Sequence, residues 1–265
     1  MIYSHYSALM AEGFARSGPA EGEMEFLQKY LRKDAPNLDL ACGTGRLLFP
    51  IKQLGYEIYG IDSSPEMLAQ CRLKEEQFGF SVTTYQQFMQ TFEIDVSFGL
   101  IFIADCSFDL LYTVEDQRTA LQNIKRHLMP GGTLLFDIET VPDPAWMASG
   151  QMATWSSSDD GKTIMISRKI FRYDPVTHQR PGLQIHELYI DGELSRKQAY
   201  EDPMRFNDPK AVTDVLAEEG FLDISLGRYL SDEPPLNTVG ELVSIRCKVP
   251  EKQEAAERYS LSGNK

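Results

Sequence analysis

The chain has 265 residues, 42% of them hydrophobic, and its formal net charge is −13 at pH 7. A chain of this length and composition can bury a full core, either as one large domain or as a domain with an insertion. The acidic balance argues against a nucleic-acid partner, because nucleic-acid binding relies on clustered Lys and Arg side chains.

The apolar runs do not indicate a membrane-spanning segment, and the cysteines do not indicate a disulfide or a metal site. The longest apolar runs, such as Phe98–Ala104, are far shorter than the roughly 20 residues of a membrane span. Residues 1–6 lack the layout of a signal peptide. The four cysteines are scattered, with no C-x-x-C pair and no histidine at ligand spacing. We therefore expect a cytoplasmic protein with no membrane contact and no metal.

Residues 1–36 are predicted to form an N-terminal cap and one helix. Residues 1–18 contain several aromatic side chains but follow no regular period. Apolar residues within Gly22–Leu31 recur at helical spacing, which predicts an amphipathic helix that covers a sheet.

The segment from Asn37 to Asp62 has the pattern of half a nucleotide-binding α/β unit. The strand Asn37–Ala41 enters a turn that contains Gly43 and Gly45, and a helix, Arg46–Leu54, and a second strand, Tyr56–Ile61, follow. The two glycines let the backbone turn tightly and approach a ligand. Asp62 lies 19 positions after Gly43, where such a sheet places an acid that accepts hydrogen bonds from ribose hydroxyls.

Two common nucleotide sites fit this turn poorly. Leu48 stands where a dinucleotide site requires a third glycine, so a dinucleotide oxidoreductase is the weakest alternative. No Lys-Ser or Lys-Thr pair follows the turn, as a phosphate-binding loop requires. The pattern favours an adenosine ligand without a diphosphate.

Alternating helices and strands continue as far as Ile138. They are a helix that begins at Ser63-Ser64-Pro65 and runs to about Gln77, the strand Phe80–Phe88, the strand Phe98–Ala104, the helix Val114–Leu128 and the strand Thr133–Ile138.

The segment Glu139–Asn207 departs from this alternation. Trp146 and Trp155 are followed by strand-like runs and a tight Asp191-Gly192 turn, which predict an inserted antiparallel meander. The predicted elements are the strands Thr163–Tyr173, Leu183–Ile190 and Glu193–Tyr200, then a helix Asp208–Glu219 and a closing hairpin of Phe221–Tyr229 and Val239–Val249.

Three motifs in this order resemble those of the class I S-adenosylmethionine-dependent methyltransferases. They are Asp39-x-x-x-Gly43-x-Gly45 with Asp62, Phe98–Phe108, and His127–Asp137 with its Pro-Gly-Gly turn. The resemblance implies an α/β, doubly wound, seven-stranded Rossmann-like sheet of order 3-2-1-4-5-7-6, with strand 7 antiparallel and an inserted antiparallel β-meander lid. It divides the chain into a cap (1–36), a cofactor-binding domain (37–140 and 207–249), the lid (141–206) and a polar tail (250–265).

The resemblance also implies S-adenosyl-L-methionine as cofactor and S-adenosyl-L-homocysteine as product. Family members commonly place an acid after the third strand to bind adenine, but Phe88 and Met89 stand there, so we expect stacking and backbone groups to hold the base. The expected cofactor residues are Tyr6, Asp39, Ala41, Cys42, Gly43, Thr44, Gly45, Asp62, Ser63, Met67, Phe88, Met89, Ala104 and Asp105.

Methyl transfer is a single in-line displacement, so it requires positioning, exclusion of water and removal of a proton, but no covalent residue. Asp105 is expected to contact the substrate or the methionine ammonium group, and His186 or Tyr189 could serve as general base. The expected substrate residues are Tyr3, Phe108, Glu139, Trp155 and His186.

Several functions fit this pattern. We expect methyl transfer to a nitrogen or oxygen atom of a small-molecule acceptor. A protein or RNA methyltransferase and a catalytically inactive S-adenosylmethionine-binding regulatory module are the alternatives. An exposed edge of the meander could pair two subunits as a homodimer.

Overall fold

A computed structural model describes residues 8–143, 152–159, 161–170, 173–236 and 239–251. The helices are α1 (Ala8–Ala15), α2 (Glu23–Gln28), α3 (Leu48–Gln53), α4 (Pro65–Phe78), α5 (Val114–His127) and α6 (Pro209–Glu218). The strands are β1 (Asn37–Leu40), β2 (Ile58–Asp62), β3 (Thr83–Gln86), β4 (Phe98–Ile103), β5 (Leu128–Glu139), β6 (Met152–Asp159), β7 (Lys162–Ile170), β8 (Gln179–Arg180), β9 (Gly182–Ile190), β10 (Glu193–Glu201), β11 (Met204–Arg205), β12 (Leu222–Arg228) and β13 (Leu242–Lys248).

Seven of these strands form one sheet, in the order β3-β2-β1-β4-β5-β13-β12. The first five pair in parallel, whereas β13 runs antiparallel to both of its neighbours. Every residue of β1 and of β4 is buried, as expected for parallel strands that are covered on both faces. The predicted order 3-2-1-4-5-7-6, with strand 7 antiparallel, is confirmed.

The inserted strands form a second sheet, in the order β10-β9-β7-β6, and all of its pairs are antiparallel. The predicted antiparallel insertion is therefore confirmed. Sequence analysis did not recognise β6, whose run Ser156–Ser158 lacks the apolar alternation of a strand. The predicted strand Thr163–Tyr173 corresponds to β7, whose described residues are Lys162–Ile170. Trp146 lies outside the described residues.

Helix ends follow ordinary capping chemistry. The Ser64 hydroxyl accepts a hydrogen bond from the Met67 N–H at 3.2 Å and Pro65 follows it, so α4 begins where the sequence indicates. Thr113 caps α5 in the same way, through the Asp116 N–H at 3.0 Å. The helix after the glycine turn is shorter than predicted, since it begins at Leu48 rather than Arg46.

Helix α1 lies between α4 and the inserted sheet. Leu9, Met10 and Ala11 are buried against an apolar cluster from these two elements, which includes Met67, Ile164 and Ile166. A Cβ atom at position 13 would lie 2.8 Å from the Trp155 ring, so only glycine permits this approach. Tyr3 and Tyr6, predicted to lie in the site, are outside the described residues.

None of the helices in the described part of the chain has the length and apolar character needed to cross a membrane. Across the same residues, no group of three or more His, Cys, Asp or Glu side chains is placed to hold a metal ion.

Candidate functional site

A cavity of about 700 Å³ lies at the carboxyl ends of the parallel strands, beneath the inserted sheet. Its lining runs from the glycine turn after β1 to side chains of β6, β7, β9 and β10. Open α/β sheets bind ligands at this edge, and small-molecule sites commonly occupy 300–1,000 Å³. The cavity is therefore large enough for a cofactor and a small second ligand.

The glycine turn forms one wall of the cavity. Gly43 has φ +55°, and a Cβ atom built there would meet nothing within 4 Å, so the backbone is open to a ligand. At Gly45 a Cβ atom would lie 2.7 Å from the Cys71 sulfur. Gly43 thus exposes backbone to the cavity, whereas Gly45 permits packing against α4.

Asp62 holds the glycine turn in place. Its carboxylate accepts hydrogen bonds from the Gly43 N–H and the Ser64 N–H, both at 2.8 Å. Burial raises the pKa of Asp62, and these backbone donors oppose that rise. The carboxylate also lines the cavity, so it can meet a ligand while it fixes the backbone.

Two further charges lie beside the turn. Asp39 is 2% exposed, and burial raises its pKa to about 8, although the positive charge of Arg46 opposes this. Arg46 makes an ion pair with the buried Glu23 carboxylate, with an Nη2–Oε1 distance of 2.9 Å. This end of the cavity therefore contains a desolvated carboxyl group that a cationic ligand group would stabilise.

Most residues predicted to bind a cofactor lie around this one cavity. Gly45 is not in its lining, for the packing reason given above, and Tyr6 lies outside the described residues. Those that line the cavity are Asp39, Ala41, Cys42, Gly43, Thr44, Asp62, Ser63, Met67, Phe88, Met89, Ala104 and Asp105.

The loop after β3 gives the cavity an apolar wall. Phe88 and Met89 line the cavity where related proteins were expected to carry an acid. Gln87 stiffens this loop, because its side-chain amide bonds to the N–H and the carbonyl of Glu93, at 2.7 and 3.3 Å. Asn123 holds the Met89 carbonyl at 3.2 Å. The wall can stack against a planar ring.

Asp105 lies in the cavity lining, directly after β4. It has φ +55°, and Cys106 follows with φ +54°. Such angles are uncommon for non-glycine residues and cluster at functional sites. Asp105 is exposed within the cavity, so its carboxylate is accessible to a ligand.

Besides Gly45, three further predicted residues are not in the described cavity lining. His186 is fully buried behind Gln184 and Tyr200, with its Nε2 3.0 Å from the Gln184 side-chain oxygen. Burial lowers its pKa to about 4. Tyr189 points to the opposite face of β9, because side chains alternate along a strand. Phe108 packs in the core against Phe136, at a ring distance of 4.5 Å.

The inserted sheet contributes polar residues that sequence reasoning missed. Arg168 on β7 pairs with Gln184 on β9, which pairs in turn with Tyr200 on β10, so the three form one row that lines the cavity. Asp202 follows this row, and the predicted residues Glu139 and Trp155 also face the cavity. No local motif indicates this row, because strand register creates it.

Tyr229 is another lining residue that was not predicted. Burial raises its pKa, and the nearby Asp137 carboxyl adds to the rise. Asp137 is itself buried, with a pKa raised to about 7, and accepts a hydrogen bond from the Ser244 hydroxyl at 2.6 Å. The phenol therefore stays protonated and can donate a hydrogen bond.

Comparisons with known proteins agree with this geometry. Residues 38–132 match the family model of a methyltransferase domain. A putative methyltransferase of Geobacillus sp. strain WCH70 is 31% identical over 242 residues, which cover 88% of this chain and 92% of that protein.

Solved structures share the fold. A S-adenosylmethionine-dependent methyltransferase from Clostridium acetobutylicum ATCC 824 has a TM-score of 0.71 and 19% identity, covering 88% of this chain and 92% of that one. The sugar N-methyltransferase KedS8 from Streptoalloteichus sp. ATCC 53650 has a TM-score of 0.67 and 18% identity, covering 94% of both chains.

Proposed function

This chain belongs to the class I S-adenosylmethionine-dependent methyltransferases, and from that membership we infer that it methylates a nitrogen or oxygen atom of a small-molecule acceptor. The observation that carries this proposal is the single cavity of about 700 Å³, which reaches from the glycine turn to the inserted sheet. In this proposal residues 37–140 and 207–249 bind the cofactor, and residues 141–206 close over the acceptor.

The residues at the glycine turn fit S-adenosylmethionine. Gly43 leaves space for close backbone approach, Asp62 can accept from the ribose hydroxyls, and Phe88 and Met89 offer an apolar wall to adenine. The desolvated carboxyl of Asp39, with its raised pKa, suits a nearby ammonium group.

Bound S-adenosylmethionine supplies an electrophilic methyl group on a sulfonium. The acceptor lone pair forms the new bond to the methyl carbon, while the electron pair of the breaking S–C bond stays on sulfur. Asp105 and Glu139 are the carboxylates that follow β4 and end β5 in the cavity, and either can take the proton of the acceptor. The lid strands exclude water and hold the acceptor in line.

The proposal also includes the class of acceptor, the cell compartment and the surface for a homodimer. A net charge of −13 favours a small-molecule acceptor over RNA, and we place the protein in the cytoplasm. Strand β10 is an edge of the inserted sheet and is mostly exposed, so it is the surface through which a homodimer could form.

Calorimetry followed by turnover tests this function. We expect micromolar binding of S-adenosylmethionine and S-adenosylhomocysteine, then formation of S-adenosylhomocysteine with at least one compound from a panel of small amines, amino acids and phenols. Absence of cofactor binding would refute the proposal. Cofactor binding without turnover on the panel, but with a protein or RNA substrate, would replace the small-molecule acceptor with a macromolecule.

A further inference from the structure

Four charged side chains form an alternating row where the main sheet meets the inserted sheet. Glu139 Oε2 lies 3.5 Å from Arg180 Nη2, Arg180 Nη1 lies 3.8 Å from Asp202 Oδ2, and Asp202 Oδ2 lies 2.7 Å from Arg168 Nε. The row thus reads carboxylate, guanidinium, carboxylate, guanidinium. We call it the charge row.

The two ends of the charge row face the cavity. The side chains of Glu139 and Arg168 are each 34% exposed, and both line the cavity. The side chains of Arg180 and Asp202 are only 1% and 3% exposed. The row therefore presents one negative and one positive group to a ligand, with the compensating charges buried behind them.

The charge row is poorly satisfied by the protein itself. Among the described residues of the row, Arg180 Nε and Nη1 are buried without a hydrogen-bond partner, and the buried Arg168 Nε and Asp202 Oδ2 form an ion pair at 2.7 Å without hydrogen-bond geometry. Unsatisfied buried polar atoms cost free energy and are rare unless they serve a ligand or a function. These atoms are buried, so a ligand in the cavity would contact only the exposed groups of Glu139 and Arg168.

Each exposed end has free bonding capacity. Arg168 uses Nε toward Asp202, and its two terminal nitrogens make no hydrogen bond to another described residue. Such a fork matches the oxygen atoms of a carboxylate or phosphate. Within the described part of the chain, the Glu139 carboxylate has one ion-pair contact, with Arg180 at 3.5 Å. It lies at the end of β5, beside β4 and the Asp105 turn, where the acceptor nucleophile must lie.

We propose that the acceptor is a small dipolar molecule, in which an amine is held by Glu139 and a carboxylate or phosphate is held by Arg168. This inference rests on the proposed methyl transfer and narrows its acceptor to an amine that also carries an anionic group. The amine passes a proton to the Glu139 carboxylate, and its freed lone pair forms the bond to the methyl carbon while the electron pair of the S–C bond stays on sulfur. The anionic group at Arg168 fixes the orientation of the acceptor.

Calorimetry on the full chain saturated with S-adenosylhomocysteine tests this acceptor class. The probes are 3-aminopropanoate, 4-aminobutanoate and 5-aminopentanoate, which vary the spacing of the charges, with butylamine and butanoate as single-charge controls. 3-Aminopropyl phosphate distinguishes phosphate from carboxylate. We expect the best dipolar probe to bind at least tenfold more tightly than either control.

Variants test which end of the charge row binds the amine and which binds the anionic group of the probe. In Arg168→Gln, the dipolar probes should bind only as tightly as butylamine, and the affinity for butylamine itself should not change. In Glu139→Gln, the dipolar probes should bind no more tightly than butanoate. Arg196→Gln is the matched control, since Arg196 is exposed on β10 outside the described cavity lining. If Arg168→Gln does not fold, the double variant Arg168→Gln with Asp202→Asn removes both charges together.

The outcomes separate this inference from the proposed function. The inference is overturned by equal binding of dipolar and single-charge probes, by an Arg168→Gln variant that weakens all probes equally, or by retained S-adenosylhomocysteine binding with no dipolar probe bound. Each of these leaves methyl transfer standing. Failure of S-adenosylhomocysteine to bind overturns the proposed function and the acceptor class with it.

Discussion

Different kinds of interaction stabilise the two ends of the cavity. At the glycine turn, main-chain groups make the bonds: Asp62 accepts from two backbone N–H groups at 2.8 Å, and the N–H groups of Ala41 and Cys42 both donate to the Ile61 carbonyl. At the inserted sheet, long side chains meet at 2.7, 3.5 and 3.8 Å, and two buried nitrogens of Arg180 have no hydrogen-bond partner.

This difference indicates two kinds of binding. Short bonds to backbone groups preorganise the glycine turn, so a ligand there meets a surface that is already arranged. The exposed ends of the charge row, Glu139 and Arg168, can still pair with a ligand in the cavity, whereas the buried Arg180 and Asp202 cannot reach it. The predictions below change one end of the cavity at a time.

Arg180→Leu should have the largest effect. Removing the central cation leaves Asp202 and Glu139 without its charge, and breaking a buried ion pair costs about 3–5 kcal/mol of unfolding free energy. Urea unfolding would measure this loss. Affinity for S-adenosylhomocysteine in the folded protein should stay within about twofold.

The control for this prediction is Arg118→Leu. Arg118 pairs with Glu218 and Glu219 near the surface, so we expect a loss of at most about 1 kcal/mol. Equal losses in the two variants would mean that the charge row contributes no more than a surface pair.

Asp62→Ala tests the other end. The variant loses two charge-assisted hydrogen bonds to the Gly43 and Ser64 amides. We expect S-adenosylmethionine to bind about 10- to 100-fold more weakly, or roughly 1.5–3 kcal/mol. Calorimetry would measure the affinity, with Asp34→Ala as control because the Asp34 side chain is 71% exposed. An unchanged affinity would remove Asp62 from the binding site.

His186→Phe should change the acid stability of the inserted sheet. The pKa of His186 is about 4 in the folded protein, below its ordinary value of 6.5, because the ring is buried. A depressed histidine pKa adds stability that is present above pH 6.5 and is lost as pH falls toward 4.

Between pH 7 and 5 the wild type should therefore lose more unfolding free energy than His186→Phe, on the order of 1–2 kcal/mol. Thermal or urea unfolding at both pH values would give the difference. Parallel pH profiles would show that His186 does not titrate in this range.

The glycine-turn end was predictable from sequence because its residues are contiguous and follow backbone rules. A buried strand, Gly43, Gly45 and a carboxylate at Asp62 determine a turn, whatever surrounds it. The resemblance to a known family predicted the strand order, and the strand-like runs with the Asp191-Gly192 turn predicted the antiparallel insertion. Helix α1 was not predicted from the sequence, because its packing depends on the contact between Gly13 and Trp155, which are far apart along the chain.

The acceptor end was much less predictable. Arg168, Gln184 and Tyr200 become neighbours only through the register of three strands, and a shift of one residue would turn each to the other face. The same alternation explains why Tyr189 does not reach the described lining, whereas His186 shares the face of Gln184 but is buried behind Gln184 and Tyr200. Glu139 and Trp155 were chosen by their place after β5 and under the lid, and both face the cavity.

Gly43→Ala should change the free energy of unfolding the least. Its comparison with Gly79→Ala separates an effect on ligand binding from an effect on stability. Gly43 and Gly79 both have positive φ, +55° and +73°, and a Cβ atom at either would meet nothing within 4 Å. Alanine at either position should cost about 1 kcal/mol of unfolding free energy through backbone strain alone. Only at Gly43 does the added methyl group lie at the cavity, so calorimetry should find weaker S-adenosylmethionine binding for Gly43→Ala and unchanged binding for Gly79→Ala. Equal affinities in the two variants would mean that the ligand does not approach the glycine turn.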